Sequence, residues 1–493
     1  VRLVSGARDP PGPNNEWKPA LADRIPSPGS AKPAGFARPD ATRLVEGPIA
    51  RTLVLFSLPI LATNILQSLD ASINAAWIGH LLGTRALTAS ANVTALLFFL
   101  LSISFGLSLA AQILIGQAVG AGDTLQTKRV MGTASIFFGI LSLVIAVAGF
   151  AIAPLILHVM HTPPDAEPLA AAYLRIIFIA VPAIFLLTFL MMALRGAGDS
   201  RTPFFFMLIS VILDVGLNPL LIRGFGPVPA LGIAGSALAT AIAQWLALGL
   251  LIAWLYRQGH ALCIGRGDFR CLRIDATVLR SLLAKGIPMG LQVVVVSSSM
   301  ILMISFVDRY GSLTVAAYGA CFQLWSYIQM PAFSVGSAVS TMAAQNIGAG
   351  RWDRVNRIAW AGVTFNVLLT GALVAAVTFS DNAAFSLFLA GNAQAIAIAK
   401  HMHLIVSWSF IFFGIGFVLA SVVRATGAVV PPLLILLAAI WGVRIPIAAL
   451  MSHLGVDGVL WGFPAGSIAS ALMTAIYYRF GGWREARMLT RRA

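Results

Sequence analysis

Asp70 and Asn74 stand four residues apart in a segment otherwise dominated by Leu, Ile, Ala and Ser, and Asp214 and Asn218 repeat that spacing at 203–222. On an α-helix, positions four apart share a face, so each pair sets a carboxyl beside a carboxamide. Gln67 and Ser68 lie close to Asp70, with Asn64 a further turn back. Pro219 directly follows Asn218 and leaves a backbone carbonyl unpaired one turn earlier. A carboxyl at such depth can take up and release a proton as its surroundings alternate between wet and dry. It can also ligate Na+ with Asn and backbone oxygens, or attract a cation. The competing role is a neutral Asp hydrogen-bonded between helices to hold them together.

Other residues offer less. Gln292 and Ser297–Ser299 face the same problem from a later apolar segment that has no acid. Gln67, Gln292, Ser298, Met289 and Met303 are candidates to line a cavity, and Trp325, with Tyr327 and Trp408, to stack on a flat cation. Core or lipid packing is the alternative for each Met and aromatic. His158, His161, Asp165 and Glu167 lack a metal spacing, and Cys263, Cys271 and Cys321 show neither metal spacing nor a disulfide framework. Nucleotide-binding, zinc-protease and triad patterns are missing from the sequence, so neither an enzyme nor a cofactor or bound metal is expected.

The elements that must position these groups are read from hydropathy. Of 493 residues 58% are hydrophobic and 10% charged, where a soluble domain carries about 25% charged. Apolar segments fall near 52–78, 89–115, 131–156, 170–193, 203–222 and 231–256, then 282–306, 316–343, 358–379, 399–421, 430–450 and 458–478. Each is about long enough to cross roughly 30 Å of hydrocarbon as a helix. The expected fold is an all-α polytopic membrane protein of twelve transmembrane helices. Six of the 33 Lys and Arg (Arg85, Arg175, Arg223, Arg309, Lys400 and Arg444) fall on one side, and the remainder collect on the other with both termini. By the positive-inside rule that second side is cytoplasmic. The net charge of +15 is then mostly a topology signal, with contact to anionic lipid a secondary expectation, and nucleic acid is not an expected partner.

Half the chain repeats the other half. Gln117-Ala118-Val119-Gly120-Ala121-Gly122 recurs in the second half as Gln345-Asn346-Ile347-Gly348-Ala349-Gly350, and Pro59, Arg195 and Pro203 match Pro288, Arg424 and Pro432 at nearly the same offset. Six helices per half run both copies the same way through the membrane. The expected organisation is a disordered tail at 1–50, a first lobe at 51–256, a basic linker at 257–281, a second lobe at 282–478 and a tail at 479–493. The repeated glycines read as helix ends with tight turns.

Ile73-Asn74-Ala75-Ala76-Trp77-Ile78-Gly79-His80, Gly116-Gln117-Ala118-Val119-Gly120-Ala121-Gly122-Asp123 and Leu194-Arg195-Gly196-Ala197-Gly198-Asp199-Ser200-Arg201-Thr202-Pro203 resemble segments of the MATE family of multidrug and toxic compound extrusion transporters. Val307-Asp308-Arg309-Tyr310-Gly311 and 345–350 resemble it in the second half. The resemblance spans about 50–480 and implies two pseudo-symmetric six-helix lobes around a V-shaped cavity. It also implies export of organic cations or amphipathic drugs in exchange for H+ or Na+, from a bacterial inner membrane. The family's usual first-helix Asp falls at Asn74, with Asp70 one turn earlier, and the seventh-helix acid of the NorM-like branch falls at Gln292. Asp214 and Asn218 match the fifth-helix polar pair of the DinF-like branch. The resemblance therefore favours H+ over Na+, with Asp70, Asn74, Asp214 and Asn218 as the ion-coupling or substrate residues.

The implied mechanism is alternating access by a chain that works as a monomer, with the lobes rocking about 257–281. A lipid or lipid-linked glycan flippase is the first rival; it requires cationic groups at mid-span, where the sequence places no Lys or Arg. A passive channel is the second, and the chain shows no fourfold filter-like repeat.

Overall fold

The computed structural model describes residues 44–159, 167–224, 229–389 and 392–488. Hydrocarbon offers no hydrogen bonds, so apolar segments of this length satisfy their backbones internally as helices. In the first half these are α1 (Ile49–Leu82), α2 (Thr84–Gly120), α3 (Thr124–Val159), α4 (Glu167–Gly196), α5 (Arg201–Arg223) and α6 (Ile233–Arg257). A 3-10 turn, Arg266–Cys271, lies in the connection to the second half. There follow α7 (Ala276–Val307), α8 (Ser312–Gly348), α9 (Trp352–Phe379), α10 (Asp381–Leu389), α11 (Ala393–Val406) and α12 (Ser409–Thr426). Two continuous helical stretches complete it, α13 (Val430–Leu454) and α14 (Val456–Phe480).

Eleven of these helices are long and apolar enough on their own to cross a membrane. The twelfth expected span is α8. It is 37 residues long but carries Gln323, Ser326, Gln329, Ser334 and Ser337. It packs against α1, α2, α9, α11 and α12, so protein rather than lipid covers much of its polar surface. The expected span at 399–421 is two helices, α11 and α12, joined at Ser407 and Trp408.

Each half forms a lobe, and the lobes meet along α1, α2, α7 and α8. The α2–α7 contact is built on glycine: a Cβ on Gly106 would come within 2.1 Å of Gly290 N, and one on Gly286 within 2.8 Å of Leu107 Cα. Small residues of this kind let membrane helices approach closely. Across α1–α8, Asn64 Nδ2 donates to Ser334 Oγ at 3.0 Å.

The repeated glycine motif does more than end helices. Gly122 and Gly350, at φ 70° and 74°, make the expected turns. Gln117 Nε2 reaches across to Ala425 O at 2.7 Å, and Gln345 Nε2 to Gly196 O at 2.9 Å. A Cβ on Gly120 would lie 2.0 Å from Gln345 O, and one on Gly348 2.0 Å from Gln117 O. The two copies are a reciprocal clasp between the lobes at their basic face.

The segments outside the lobes are more ordered than their composition suggests. The expected tail at 1–50 lies mostly outside the described residues. Its end is docked on the second lobe: Leu44 is buried, Asn346 Nδ2 donates to Leu44 O at 3.1 Å, and Arg354 Nη2 to Gly47 O at 2.7 Å. The expected linker is shorter than 257–281, because α7 begins at Ala276. It is fastened to α3 rather than free: Lys128 Nζ meets Asp268 Oδ2 at 2.5 Å, Thr133 Oγ1 donates to Arg273 O, and Gly132 leaves room for Cys271 O. The Lys128 ammonium holds the Asp268 carboxyl below the usual carboxylate range. The expected tail after 478 folds back, burying Trp483 and Met488, with Ser281 donating to Met488 O.

Candidate functional site

α1 and α5 pack side by side, which joins the two Asp–Asn faces into one network. Asn74 Nδ2 donates to Asp214 Oδ2 at 2.6 Å. Asn218 Nδ2 lies 2.7 Å from Asn74 Oδ1 and 3.2 Å from Asp214 Oδ1. From α6, the Thr240 hydroxyl donates to Asp214, 3.1 Å from Oδ1. Asp70 brings its carboxyl into hydrogen-bonding reach of the Asp214 carboxyl, and Asp70 Oδ1 is buried with no donor. Asp214 and Asn218 are buried, whereas Asp70 and Asn74 are half-buried. Tyr173 of α4 stands buried within electrostatic reach of both acids.

Thr240 and Tyr173 carry no signal in the sequence. A threonine in an apolar helix commonly bonds its own preceding turn, and Ser236 O lies 3.3 Å from the Thr240 hydroxyl as the competing acceptor; a lone tyrosine has no telling spacing. The chemistry of the network follows from its donors. Asp214 receives N–H and O–H groups on both oxygens, but nothing donates between the two carboxyls. Two unit charges about 4 Å apart repel by about 4 kcal/mol at an effective dielectric of about 20. A single proton between them replaces that repulsion with a charge-assisted hydrogen bond.

The remaining candidates scatter. Gln67 is exposed on α1 and only meets Met207 Sδ at 3.9 Å. Ser298 turns its hydroxyl to Val295 O of its own helix. Met289 is buried in the main core, and Met303 and Trp325 are buried within the second lobe, so none of these three lines an open surface. Gln292 accepts from Arg424 Nη1 at 2.9 Å, while its own Nε2 is buried without a partner. His161 and Asp165 lie outside the described residues, and among those described no group of His, Cys, Asp and Glu could hold a metal ion.

One cation lies deeper within its helix than expected. Arg444 lies inside α13, at the end of a π-helical segment Ala438–Arg444, rather than at the outer edge of a span. Its guanidinium is buried and packs over the Phe463 ring at 4.7 Å. A desolvated cation–π contact contributes about 2 kcal/mol, against several kcal/mol for removing a charge from water. A cationic group therefore stands inside α13, further from its end than the expected segment 430–450 implies.

The architecture is that of a two-lobed helical membrane protein with a carboxyl pair in one lobe. The MatE family model matches residues 59–220 and again 288–450, one copy per lobe. A probable multidrug resistance protein, YoeA of Bacillus subtilis, is 38% identical over 89% of this chain and 95% of its own length. A FAD transporter of Shewanella oneidensis is 26% identical over 89% of the chain and 96% of its own length. A crystal structure of a mutant of the Vibrio cholerae MATE transporter VcmN superposes with a TM-score of 0.81 at 20% identity, covering 90% of this chain and 98% of that one. The chain belongs to the MATE family of membrane transporters.

Proposed function

We propose that this protein is a multidrug exporter of the bacterial inner membrane that exchanges amphipathic or cationic drugs for H+ by alternating access, working as a monomer. The observation that carries the reading is the pairing of Asp70 with Asp214 inside a network of hydrogen-bond donors. A proton suits this arrangement better than Na+, because Asn74 and Asn218 turn N–H groups, not oxygens, toward Asp214. In the protonated pair the two helices hold together; in the ionised pair like charges press α1 and α5 apart. The ion can thus favour one lobe arrangement over another, which coupling requires. The basic face is the cytoplasmic one in this reading, since most Lys and Arg gather there. The names of the relatives support drug export: YoeA, and the multidrug export protein MepA of Staphylococcus aureus, 23% identical over 84% of this chain.

The test is dye efflux from proteoliposomes with H+ and Na+ gradients imposed separately. An H+ gradient alone should drive export and a Na+ gradient alone should not. Full-rate, pH-gradient-driven export by the D214A variant would remove the carboxyl pair from the mechanism.

A further inference from the structure

The second lobe carries Arg444 where the first carries Asp214. Pro203 and Pro432 mark equivalent positions in the two halves. Further along, a Cβ on Gly235 would meet Leu221 O at 2.3 Å, and one on Gly458 would meet Met451 O at 1.9 Å. These equivalent contacts set Leu221 against Met451, which lies one position further from Pro432 than Leu221 lies from Pro203. One residue has therefore been gained within α13, and the π-helical segment Ala438–Arg444, whose turns are wider by one residue, accommodates it. In that register Asp214 corresponds to Arg444. Aligning α6 on α14 through the same pair of glycines matches Thr240, the donor to Asp214, with Phe463, the ring beneath Arg444.

Three buried side-chain donors stand around the Trp325 and Phe463 rings. Arg444 Nε, Tyr318 Oη and Trp325 Nε1 are all buried without a hydrogen-bond partner. Their residues are 8%, 2% and 1% exposed. The Trp325 ring lies 5.8 Å from Tyr318 and 5.6 Å from Phe463, and Tyr318 is within electrostatic reach of Arg444. Arg444 forms no ion pair among the described residues. Buried donors are ordinarily satisfied, and an ionisable group inside a membrane protein marks function by default.

We propose that Arg444, Tyr318 and Trp325 form an anion site in the second lobe, opposite in sign to the carboxyl pair of the first. A single guanidinium with two neutral donors matches a compact monoanion. Two sources have that chemistry: a carboxylate on the transported molecule, or free chloride. π-Helical segments recur at functional sites, and this one sets the arginine into the cluster.

The purified full chain is titrated with chloride, and separately acetate, against methanesulfonate at equal ionic strength, with thermal unfolding and tryptophan fluorescence as readouts. A saturable response is expected, weakened tenfold or more in R444Q and in Y318F. Losing an unpartnered hydroxyl would leave a merely structural cluster unchanged. A second arm, which rests on the efflux reading above, compares a rhodamine bearing a free carboxylic acid with its ethyl ester in proteoliposomes. A tenfold selective loss of the acid dye in R444Q assigns the anion to the transported molecule. Export of both dyes that requires chloride in the native protein, but not in R444Q, assigns it to the free ion. No saturable anion response, together with equal effects on both dyes, overturns the proposal. Should R444Q not fold, Y318F and W325F carry the same comparisons. The titration is independent of proton coupling, so the two readings fail separately.

Discussion

At the scale of residues, Asp214 is the hub: Asn74, Asn218 and Thr240 all donate to it, and Asp70 faces it. Asp214→Asn is expected to lower H+-driven efflux at least tenfold while the protein still inserts, as measured by dye export and by membrane yield. Asp70→Asn should uncouple as well. Because Asn74 Nδ2 lies 2.6 Å from Asp214 Oδ2, an acid at 74 can share a proton with Asp214 much as Asp70 does. The double variant D70N/N74D should therefore recover a substantial part of the transport that D70N loses; no recovery would mean that position 70, rather than a second carboxyl as such, is what matters. The two Asp–x–x–x–Asn faces were legible in sequence because four-residue spacing is intrinsic to a helix. Their union was not, since only the packing of α1 on α5 places Asp70 against Asp214.

At the scale of elements, the glycine motifs and the connection between halves carry the predictions. A Cβ on Gly120 would meet a backbone oxygen at 2.0 Å, and overpacking of this kind costs about 1–3 kcal/mol. Gly120→Ala and Gly348→Ala should each loosen the clasp at the basic face, read as faster labelling of cysteines introduced there. The motif itself was visible as a repeat, but its reciprocal reach to Ala425 and Gly196 belongs to tertiary structure. The Lys128–Asp268 pair gives a pH-dependent contribution of known sign. Its carboxyl is held below the ordinary value of 3.8, so the pairing contributes fully above that value and is lost as pH falls through the lower folded one. Thermal stability of native protein and K128A should converge only under strongly acidic conditions. The difference near neutrality should be small, because solvent screens a pair this accessible.

At the scale of the whole molecule, two lobes of similar topology hold opposite chemistry. The first has a carboxyl pair, the second a buried arginine among donors. The lobes touch closely where Gly116 faces Ala344, with a Cβ on Gly116 only 3.1 Å from Ala344 Cβ. That spacing is a few tenths of an ångström short of the Cβ–Cβ range of a disulfide, so a small separation of the helices brings the pair into range. Cysteines placed at 116 and 344 should cross-link under mild oxidation, arrest transport and release it on reduction. Transport at full rate with the cross-link formed would mean that the lobes need not separate at this face.

Composition and periodicity by themselves determined that this chain spans a membrane many times in two repeated halves, because exclusion from water acts on every apolar segment independently of its neighbours. They also marked Asp70 and Asp214, since a carboxyl among hydrocarbon side chains is costly wherever the helix lies. Tertiary structure alone decided that these acids face each other, that Thr240 donates to Asp214, and that α8 hides its polar surface between helices. It also decided the place of Arg444. One extra residue in a π-helical segment shifts the register between the halves, and a shift of that kind becomes visible only when the contacts on both sides of it are seen.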